Sequence, residues 1–294
     1  MTASASQLDA LLPRLGQLRD ALAQAIVGQN AVVEQLLIAL LAGGHCLLEG
    51  APGLGKTLLV RSLGQALSLD FRRVQFTPDL MPGDIIGTEV LEEDPATGRR
   101  HFRFQKGPVF THLLLADELN RTPPKTQAAL LEAMGERTIS YAGTTHDLPQ
   151  PFFVLATQNP IEQAGTYPLP EAQLDRFLLH VRVGYPSEQE EQDILSQTTG
   201  SHSGKVPQVM DAAAVQTLQA AVRQVHVGPD LLAWITHLVR ASRPGEGAPG
   251  KINHWMRWGA GPRAGQSLVL AAKARALLSG RFAATRDDVI ALAA

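Results

Sequence analysis

The 294 residues suffice for one large domain or two ordinary ones, and an apolar content of 45% can supply a sizeable core. Lys and Arg total 26 against 28 Asp and Glu, so a net charge of −2 gives no global basic field for nucleic acid. Cys46 is the only cysteine, which excludes a disulfide framework and a cysteine-rich metal site. We expect Cys46 to be a small buried core residue.

The N-terminal stretch MTASASQLDALLPRLGQL lacks the basic start, continuous apolar segment and cleavage site of a signal peptide. The longest apolar run, residues 36–48, is too short to span a bilayer and contains a Gly-Gly break. From these features we expect a cytoplasmic protein without membrane insertion.

Apolar residues at helical spacing predict an amphipathic helix over residues 6–26 and a second helix over residues 30–42. Beyond them, short apolar segments typical of buried strands alternate with helical segments, of which residues 56–68 are the first. The strand-like segments read HCLLEG, FRRVQFT, HLLLADE, PFFVLATQN and FLLHVRVGY. This alternation predicts an α/β fold with a parallel sheet.

Two segments interrupt the alternation. Residues 83–108 and residues 137–150 each contain strand-like runs around a turn, which predicts two inserted hairpins. After Pro186 the strand signals end. Helical patterns then begin at Ser187, a candidate cap, and recur over residues 211–225, 229–242, 264–279 and 286–293, with a Gly/Pro-rich loop at 243–263. We therefore predict two domains, residues 1–186 and an all-helical part over residues 187–294.

Between the first strand and its helix, residues 50–57 read GAPGLGKT and satisfy the phosphate-binding pattern G-x-x-x-x-G-K-[ST]. Gly50, Gly53 and Gly55 permit positive φ angles, so that successive backbone N–H groups can face one concavity. Lys56 is expected to reach the β- and γ-phosphates, and Thr57 to place a hydroxyl on Mg²⁺. The alternative is an ordinary glycine turn, which the strand before and helix after it make less favourable.

Hydrolysis requires carboxylates beside the phosphates. Asp117 and Glu118 follow the segment HLLLA, at the strand edge where ligands of open parallel sheets lie. We expect Asp117 to hold the Mg²⁺ shell and Glu118 to orient or deprotonate the attacking water. The alternative is a strand followed by an acidic helix cap.

Three further polar residues lie where they could complete the site. Asn159 ends another buried strand, and we expect it to bridge the water and the γ-phosphate; the alternative is a plain Asn-Pro turn. Arg176 could stabilise transition-state charge, or be a solvated partner of Glu171 or Asp175. Arg263 begins a helix, where a cation opposes the helix dipole and is better explained by a ligand.

Together these motifs resemble the AAA+ ATPases, and specifically the MoxR family. The resemblance is carried by GAPGLGKT, LLLADELNR, LATQNP, LPEAQLDRF and GAGPRA, in that order, and by FTPDLMPGDIIGTEV. VGQ, which begins with Val27 and Gly28, is similar to the family's adenine-side box. The resemblance extends over nearly the whole chain. The nucleotide-binding residues that it implies are Val27, Gly28, Gly50, Ala51, Pro52, Gly53, Leu54, Gly55, Lys56, Thr57, Leu58 and Arg263.

The resemblance implies a P-loop NTPase αβα sandwich with five parallel strands, a helix-2 insert hairpin and a small helical lid. It implies ATP and Mg²⁺ as cofactors and a ring oligomer, usually a hexamer, with nucleotide between subunits. Asn159 becomes the sensor-1 residue, Arg176 the arginine finger that acts in trans, and Arg263 the sensor-2 arginine. Gly261 departs from the family's usual serine, and from the resemblance we expect further helical turns after Ala294.

The function implied is an ATP hydrolase that acts as a chaperone-like remodeller, often with a von Willebrand A domain partner and sometimes in metal-cofactor insertion. A nucleic-acid motor is one alternative, because Arg99, Arg100, Arg103 and Lys106 surround aromatic residues in the first hairpin. A nucleotide-gated scaffold with little turnover is another. Trp255 and Trp258 could form a partner-binding patch, but we expect them to pack the lid.

Overall fold

The computed structural model describes residues 5–51, 53–93, 99–159, 165–198, 206–246 and 248–292. The strands are β1 (Cys46–Gly50), β2 (Phe71–Gln75), β3 (Gly87–Glu93), β4 (Arg100–Lys106), β5 (Leu113–Asp117), β6 (Thr138–Tyr141), β7 (Thr144–Asp147), β8 (Phe153–Gln158) and β9 (Leu179–Val183).

The helices are α1 (Ala5–Ala25), α2 (Asn30–Ala42), α3 (Lys56–Leu67), α4 (Pro82–Ile86), α5 (Pro124–Glu136), α6 (Glu171–Leu174), α7 (Glu188–Thr198), α8 (Ala212–Gln224), α9 (Pro229–Ala241), α10 (Gly250–Trp255), α11 (Pro262–Leu278) and α12 (Arg286–Ile290). A short 3-10 helix, Leu119–Arg121, follows β5.

Five of the strands form one sheet in the order β2-β5-β8-β1-β9, and every neighbouring pair is parallel. The predicted parallel sheet is therefore confirmed. The central strands β5 and β8 are almost wholly buried because helices cover both sheet faces, which explains their continuous apolar runs. All parallel strands point the same way, so the residues that end β1, β5 and β8 meet at one edge of the sheet.

Both predicted hairpins are confirmed. Strands β3 and β4 pair antiparallel, and so do β6 and β7. A stack joins the two hairpins, with the ring centroids of Phe104 and His146 4.4 Å apart. Phe104 also contacts Tyr141 and Phe110, so its ring forms the inner face of the first hairpin.

Helices α7–α12 follow the sheet, as the helical patterns predict. Helix α7 begins at a capping box, in which Glu190 accepts hydrogen bonds from the Ser187 backbone N–H and hydroxyl. Helices α8 and α11 pack against α1 and α2, and their buried residues share one apolar cluster with the sheet. The Gln219 amide secures this contact by donating to the carbonyl oxygen of Leu40 at 2.7 Å.

Two expectations for the last part of the chain are wrong. The predicted loop at 243–263 contains α10, a six-residue helix that begins after Pro249 and has no buried residues. The expected packing of Trp255 and Trp258 is not found, because their exposed fractions are 78% and 66%. Helix α10 ends at Trp255 and has no buried residue, so it does not bring this indole against the apolar core.

Cys46 is completely buried at the start of β1, as expected, and burial raises the pKa of its thiol far above the usual range. Among the described residues, no helix combines the length and the apolar character needed to cross a membrane.

Candidate functional site

An open cavity of about 430 Å³ lies at the carboxyl edge of the sheet. This volume is within the ordinary range for small-molecule sites. Predicted site residues from three separate parts of the sequence line it together, and two residues of β2 that no motif indicated, Arg73 and Gln75, join them. The lining residues are Gly50, Gly53, Leu54, Gly55, Lys56, Thr57, Leu58, Arg73, Gln75, Asp117, Glu118, Thr157, Gln158 and Asn159.

The phosphate-binding loop connects β1 to α3. Gly53 and Gly55 have φ angles of 85° and 73°, a left-handed conformation that favours glycine. The prediction of a positive φ is wrong for Gly50, which is still part of β1 and has a different requirement. A Cβ atom at Gly50 would lie 2.6 Å from the carbonyl oxygen of Val183 on β9, so close strand contact demands glycine there. Ala51 is buried, and Pro52 lies outside the described residues.

Lys56 is the first residue of α3, and its Nζ donates to the carbonyl oxygen of Gly50 at 2.5 Å. Burial lowers the pKa of Lys56, and the negative charges of Asp117, Glu118 and Glu49 act in the opposite direction. A cation held among carboxylates at the N-terminus of a 12-residue helix is well placed to meet phosphate.

Asp117 and Glu118 leave β5 in a fixed geometry. The Thr157 hydroxyl on β8 donates to Asp117 Oδ1 at 2.6 Å and accepts from the Glu118 backbone N–H at 2.8 Å. Glu118 itself has a φ of 58°, a left-handed conformation that costs about 1–3 kcal/mol for a non-glycine residue. Such strain is typical of functional positions, and here it turns the Glu118 side chain into the cavity.

Two residues of β2, Arg73 and Gln75, donate hydrogen bonds to the carboxylates of Asp117 and Glu118. Nη2 and Nε of Arg73 donate to Asp117 Oδ2 at 2.6 and 3.0 Å. Gln75 donates from Nε2 to Glu118 Oε2 at 2.6 Å, and Arg121 pairs with the same Glu118 oxygen at 3.1 Å. The sequence contained one signal for Arg73 and Gln75: two polar residues at a spacing of two in a strand-like segment share one face.

The adenine-side box contacts the phosphate-binding loop. Gln29, which follows Val27 and Gly28, donates from Nε2 to the carbonyl oxygen of Leu54 at 2.9 Å. Gly28 has a φ of 79°, and a Cβ atom there would overlap the side chain of Glu190 at the start of α7. The box therefore lies between the loop and the C-terminal helices.

Arg176 and Arg263 are not among the residues that line this cavity. Arg176 Nη1 donates to the carbonyl oxygen of Leu131 at 2.7 Å, near the C-terminal end of α5, where a cation is favoured by the helix dipole. This contact differs from the solvated pairing with Glu171 or Asp175 that the sequence left open. Arg263 is exposed in the first turn of α11.

A larger cavity of about 780 Å³ lies among the C-terminal helices α8, α9 and α11. Apolar residues form most of its wall, together with Arg223, Arg240 and Arg243. It contains neither a glycine-rich loop nor a carboxylate, so its chemistry does not suit a metal–phosphate ligand. The smaller cavity at the sheet edge is therefore the candidate site.

The donor set at the sheet edge suits a hard cation that is shared with phosphate. Thr57 and Asp117 offer a hydroxyl and a carboxylate oxygen, the ligand types that Mg²⁺ prefers. Across the described ranges, no group of three or more His, Cys, Asp or Glu side chains could hold a metal alone. Magnesium typically uses few protein ligands and takes the rest from phosphates and water, so Thr57 and Asp117 are sufficient protein ligands for a Mg²⁺ ion that also binds phosphate.

A parallel sheet in this strand order, a glycine-rich loop and an acidic pair at its edge, and a helical part after the sheet define an AAA+ ATPase. Residues 45–179 match the family described as "ATPase family associated with various cellular activities (AAA)". Residues 253–294 match the AAA lid domain.

Individual relatives identify the family within this class. The chain is 44% identical over 266 residues to Chaperone MoxR1 of Mycobacterium tuberculosis, covering 90% of this chain and 69% of the relative. It is 42% identical over 284 residues to the uncharacterised protein YeaC of Bacillus subtilis, covering 96% and 85%. Protein MoxR of Methylorubrum extorquens is 32% identical over 288 residues, covering 92% and 82%.

A solved structure from Cytophaga hutchinsonii, described as a candidate ATPase, superimposes with a TM-score of 0.89 at 38% identity. The alignment covers 97% of this chain and 86% of that one. The chain therefore belongs to the MoxR family of AAA+ ATPases, and it has the nucleotide-binding fold of that family.

Proposed function

We propose that this protein hydrolyses ATP with Mg²⁺ and uses the reaction to remodel partner proteins. One observation carries the proposal. The glycine-rich loop, the Asp117–Glu118 pair and Asn159 come from three different strands of the sheet and line a single cavity. The parallel sheet brings the ends of these strands to one edge, and the groups found there are the types that phosphoryl transfer to water requires.

Each group has a distinct task in phosphoryl transfer to water. Lys56 contacts the β- and γ-phosphates, and Thr57 and Asp117 hold Mg²⁺. The metal, when bound, neutralises charge that develops on the phosphate oxygens. Glu118 orients the attacking water and accepts its proton, and Asn159 positions that water against the γ-phosphate. The hydrogen bonds from Thr157 and Gln75 support these roles because they fix both carboxylates before the reaction begins.

The rest of the nucleotide lies between the loop and the adenine-side box. Val27 and Gly28 face the adenine, and the backbone of residues 50–58 surrounds the phosphates. The contact between Gln29 and Leu54 supports this placement because it fixes the box against the loop.

We further propose that the protein works as a ring, with a hexamer as the expected size. Arg176 then acts as the finger on a neighbour's nucleotide. Its exposed position beside the end of α5, away from the cavity of its own chain, supports action in trans. Arg263 acts as the sensor of the lid, and we place the domain boundary near residue 186, before α7.

The remodelling role is supported by one relative that is named a chaperone. A von Willebrand A domain partner and a part in metal-cofactor insertion are the finer forms of this proposal. The nucleic-acid motor is less well supported. Arg100 and Arg103 form ion pairs with Glu93 and Glu92 on the partner strand, so the first hairpin neutralises much of its own basic charge.

The test is ATP turnover per subunit as a function of protein concentration, with Glu118→Gln as the blank. We expect a rate that rises as subunits associate, because a neighbour completes each site. A constant rate above the blank would contradict the ring mechanism and the trans role of Arg176. A rate no higher than the blank at every concentration would contradict hydrolysis by the chain alone and favour the scaffold.

A further inference from the structure

Asp117 has both of its carboxylate oxygens engaged by side chains of the protein. Thr157 donates to Oδ1 at 2.6 Å. Arg73 donates twice to Oδ2, from Nη2 at 2.6 Å and from Nε at 3.0 Å. The residue proposed to hold the metal is therefore already paired with a positive charge.

The strand order explains this pairing. Strand β2 is the edge strand beside β5, and Gln75 lies in register with Asp117. Arg73 is two residues before Gln75 and shares its face of the strand, so both side chains lie beside the acidic pair. Gln75 steadies the guanidinium, because Gln75 Oε1 accepts a hydrogen bond from Arg73 Nη2 at 2.8 Å.

The ion pair between Arg73 and Asp117 can separate at low cost. The Arg73 side chain is 48% exposed and lines the site cavity, whereas the Asp117 side chain is 17% exposed. An ion pair with one partner half in water is weak, because water and salt replace the lost contact at little cost. A divalent cation at the same carboxylate has twice the charge of the guanidinium and repels it.

We propose that Arg73 is a built-in competitor of Mg²⁺ for Asp117. The guanidinium neutralises Asp117 until the metal–nucleotide complex displaces it, so Arg73 sets the Mg²⁺ concentration at which the site fills. This inference rests on the proposed function, in which Asp117 holds Mg²⁺. It assigns to Arg73 a role in metal loading that none of the sequence motifs indicates.

A purely structural role makes the opposite prediction. If Arg73 only positions Asp117 for the metal, its removal loosens the carboxylate and raises the Mg²⁺ requirement. If Arg73 competes, its removal lowers that requirement. The sign of the change therefore separates the two roles.

The experiment uses the full chain and a fluorescent ADP analogue. Its binding is followed as Mg²⁺ is added, and the Mg²⁺ concentration at half-maximal effect is read for wild type and for Arg73→Gln. We expect a half-point about two- to fivefold lower in Arg73→Gln, which matches the loss of an exposed ion pair. Arg73→Lys keeps a cation with fewer donors and should fall between the two.

Arg72→Gln is the matched control. Arg72 is the adjacent exposed arginine on β2, its side chain points to the opposite face, and its removal changes the net charge equally. We expect its half-point to equal that of wild type.

An unchanged or higher half-point in Arg73→Gln overturns the inference, and so does an equal decrease in Arg72→Gln. If the analogue binds to wild type without any dependence on Mg²⁺, the metal site of the proposed function fails, and the competitor fails with it. Failure of the competitor role is therefore seen in the Arg73 and Arg72 variants, whereas failure of the proposed metal site is seen already in wild type.

Discussion

Two arginine–aspartate clusters in this molecule share their chemistry but differ in burial. At the sheet edge, Arg73 pairs with Asp117 beside the cavity. At the end of the chain, Arg281 and Arg275 both pair with Asp288, whose side chain has an exposed fraction of 0%. We call the first the open cluster, because Asp117 lines a ligand site, and the second the closed cluster, because the Asp288 carboxylate is shielded from solvent although its arginines are partly exposed.

The two carboxylates also differ in the hydrogen bonds that they accept. Asp288 accepts hydrogen bonds from both arginines and from the Thr285 backbone and hydroxyl. Burial by itself raises the pKa of Asp288, but these hydrogen bonds outweigh it and lower that pKa to about 2. A carboxylate satisfied in this way has a structural role, whereas Asp117 sits where a stronger cation can enter. An arginine–aspartate pair can thus serve ligand binding or stability, and the difference depends on whether the carboxylate is buried or open to a ligand.

The largest expected effect is on the reaction at the open cluster. Glu118→Gln removes the base but keeps the shape of the side chain, so turnover should fall by about 100- to 10,000-fold. Nucleotide binding and the unfolding midpoint should stay close to wild type. Phosphate release measures the change, with Glu132→Gln on the exposed face of α5 as the control. Turnover that survives the Glu118 substitution would remove this residue from the mechanism.

At the closed cluster the expected loss is in stability. Asp288→Asn leaves two arginines without their anion. The arginine side chains are 27% and 39% exposed, so water replaces part of the lost contact, and we expect a loss of about 1.5–3 kcal/mol from the hydrogen bonds to the charged carboxylate. Denaturant unfolding measures the loss, and Asp287→Asn is the control, because Asp287 is the exposed neighbour. The Mg²⁺ half-point of folded Asp288→Asn should not move. Equal stabilities of the two variants would show that the cluster is not structural.

As the pH is lowered, protonation of the buried His45 should reduce the stability of the fold at a higher pH than protonation of Asp288 does. His45 accepts from the Val154 N–H through Nδ1 and lies 3.2 Å from the Met134 carbonyl oxygen through Nε2. Burial lowers the pKa of His45 from 6.5 to about 4, a shift that the Met134 hydrogen bond opposes and the charge of Arg137 assists.

Between pH 6.5 and about 4, His45 is therefore protonated in the unfolded chain but neutral in the folded chain. Stability should fall as the pH drops from 6.5 toward 4, by about 2 kcal/mol at pH 5. The Asp288 contribution is complete above its ordinary pKa of 3.8 and is lost toward pH 2. Unfolding of wild type and His45→Asn across this range measures the first window. An identical slope in the two proteins would rule out His45 as its source.

The smallest expected effect concerns the exposed indoles. Trp255→Ala should change the unfolding free energy by no more than about 0.5 kcal/mol, because the ring is 78% exposed. Trp234→Ala on α9 is the contrast, because Trp234 packs against the main core and carries Arg286 over its ring. A large loss in Trp255→Ala would restore the packing role that the sequence suggested.

Local patterns were enough to predict much of the fold and site. Alternating apolar segments predicted the parallel sheet, and the residues after β1, β5 and β8 were expected at one edge because parallel strands end together. Lys56 and Thr57 follow from the phosphate-binding pattern, and Asp117, Glu118 and Asn159 follow from their places at strand ends. All five line one cavity.

The residues that were missed depend on which strands are neighbours. Arg73 and Gln75 reach the acidic pair because β2 lies beside β5, and no spacing along the chain encodes that order. The need for glycine at Gly50 arises from the approach of β9, which is also a tertiary contact. The exposure of Trp255 was missed because apolar character predicts burial only when a partner surface exists.

The most direct test of the site is calorimetric titration of ADP into wild type and Asp117→Asn, with and without Mg²⁺. We expect Mg²⁺ to increase the affinity of wild type and to have little effect on Asp117→Asn, while both proteins unfold at similar temperatures. If Asp117→Asn kept the full Mg²⁺ dependence, the carboxylate at the end of β5 would not be the metal ligand. The metal-binding role of Asp117 and the competing role of Arg73 would then both be wrong.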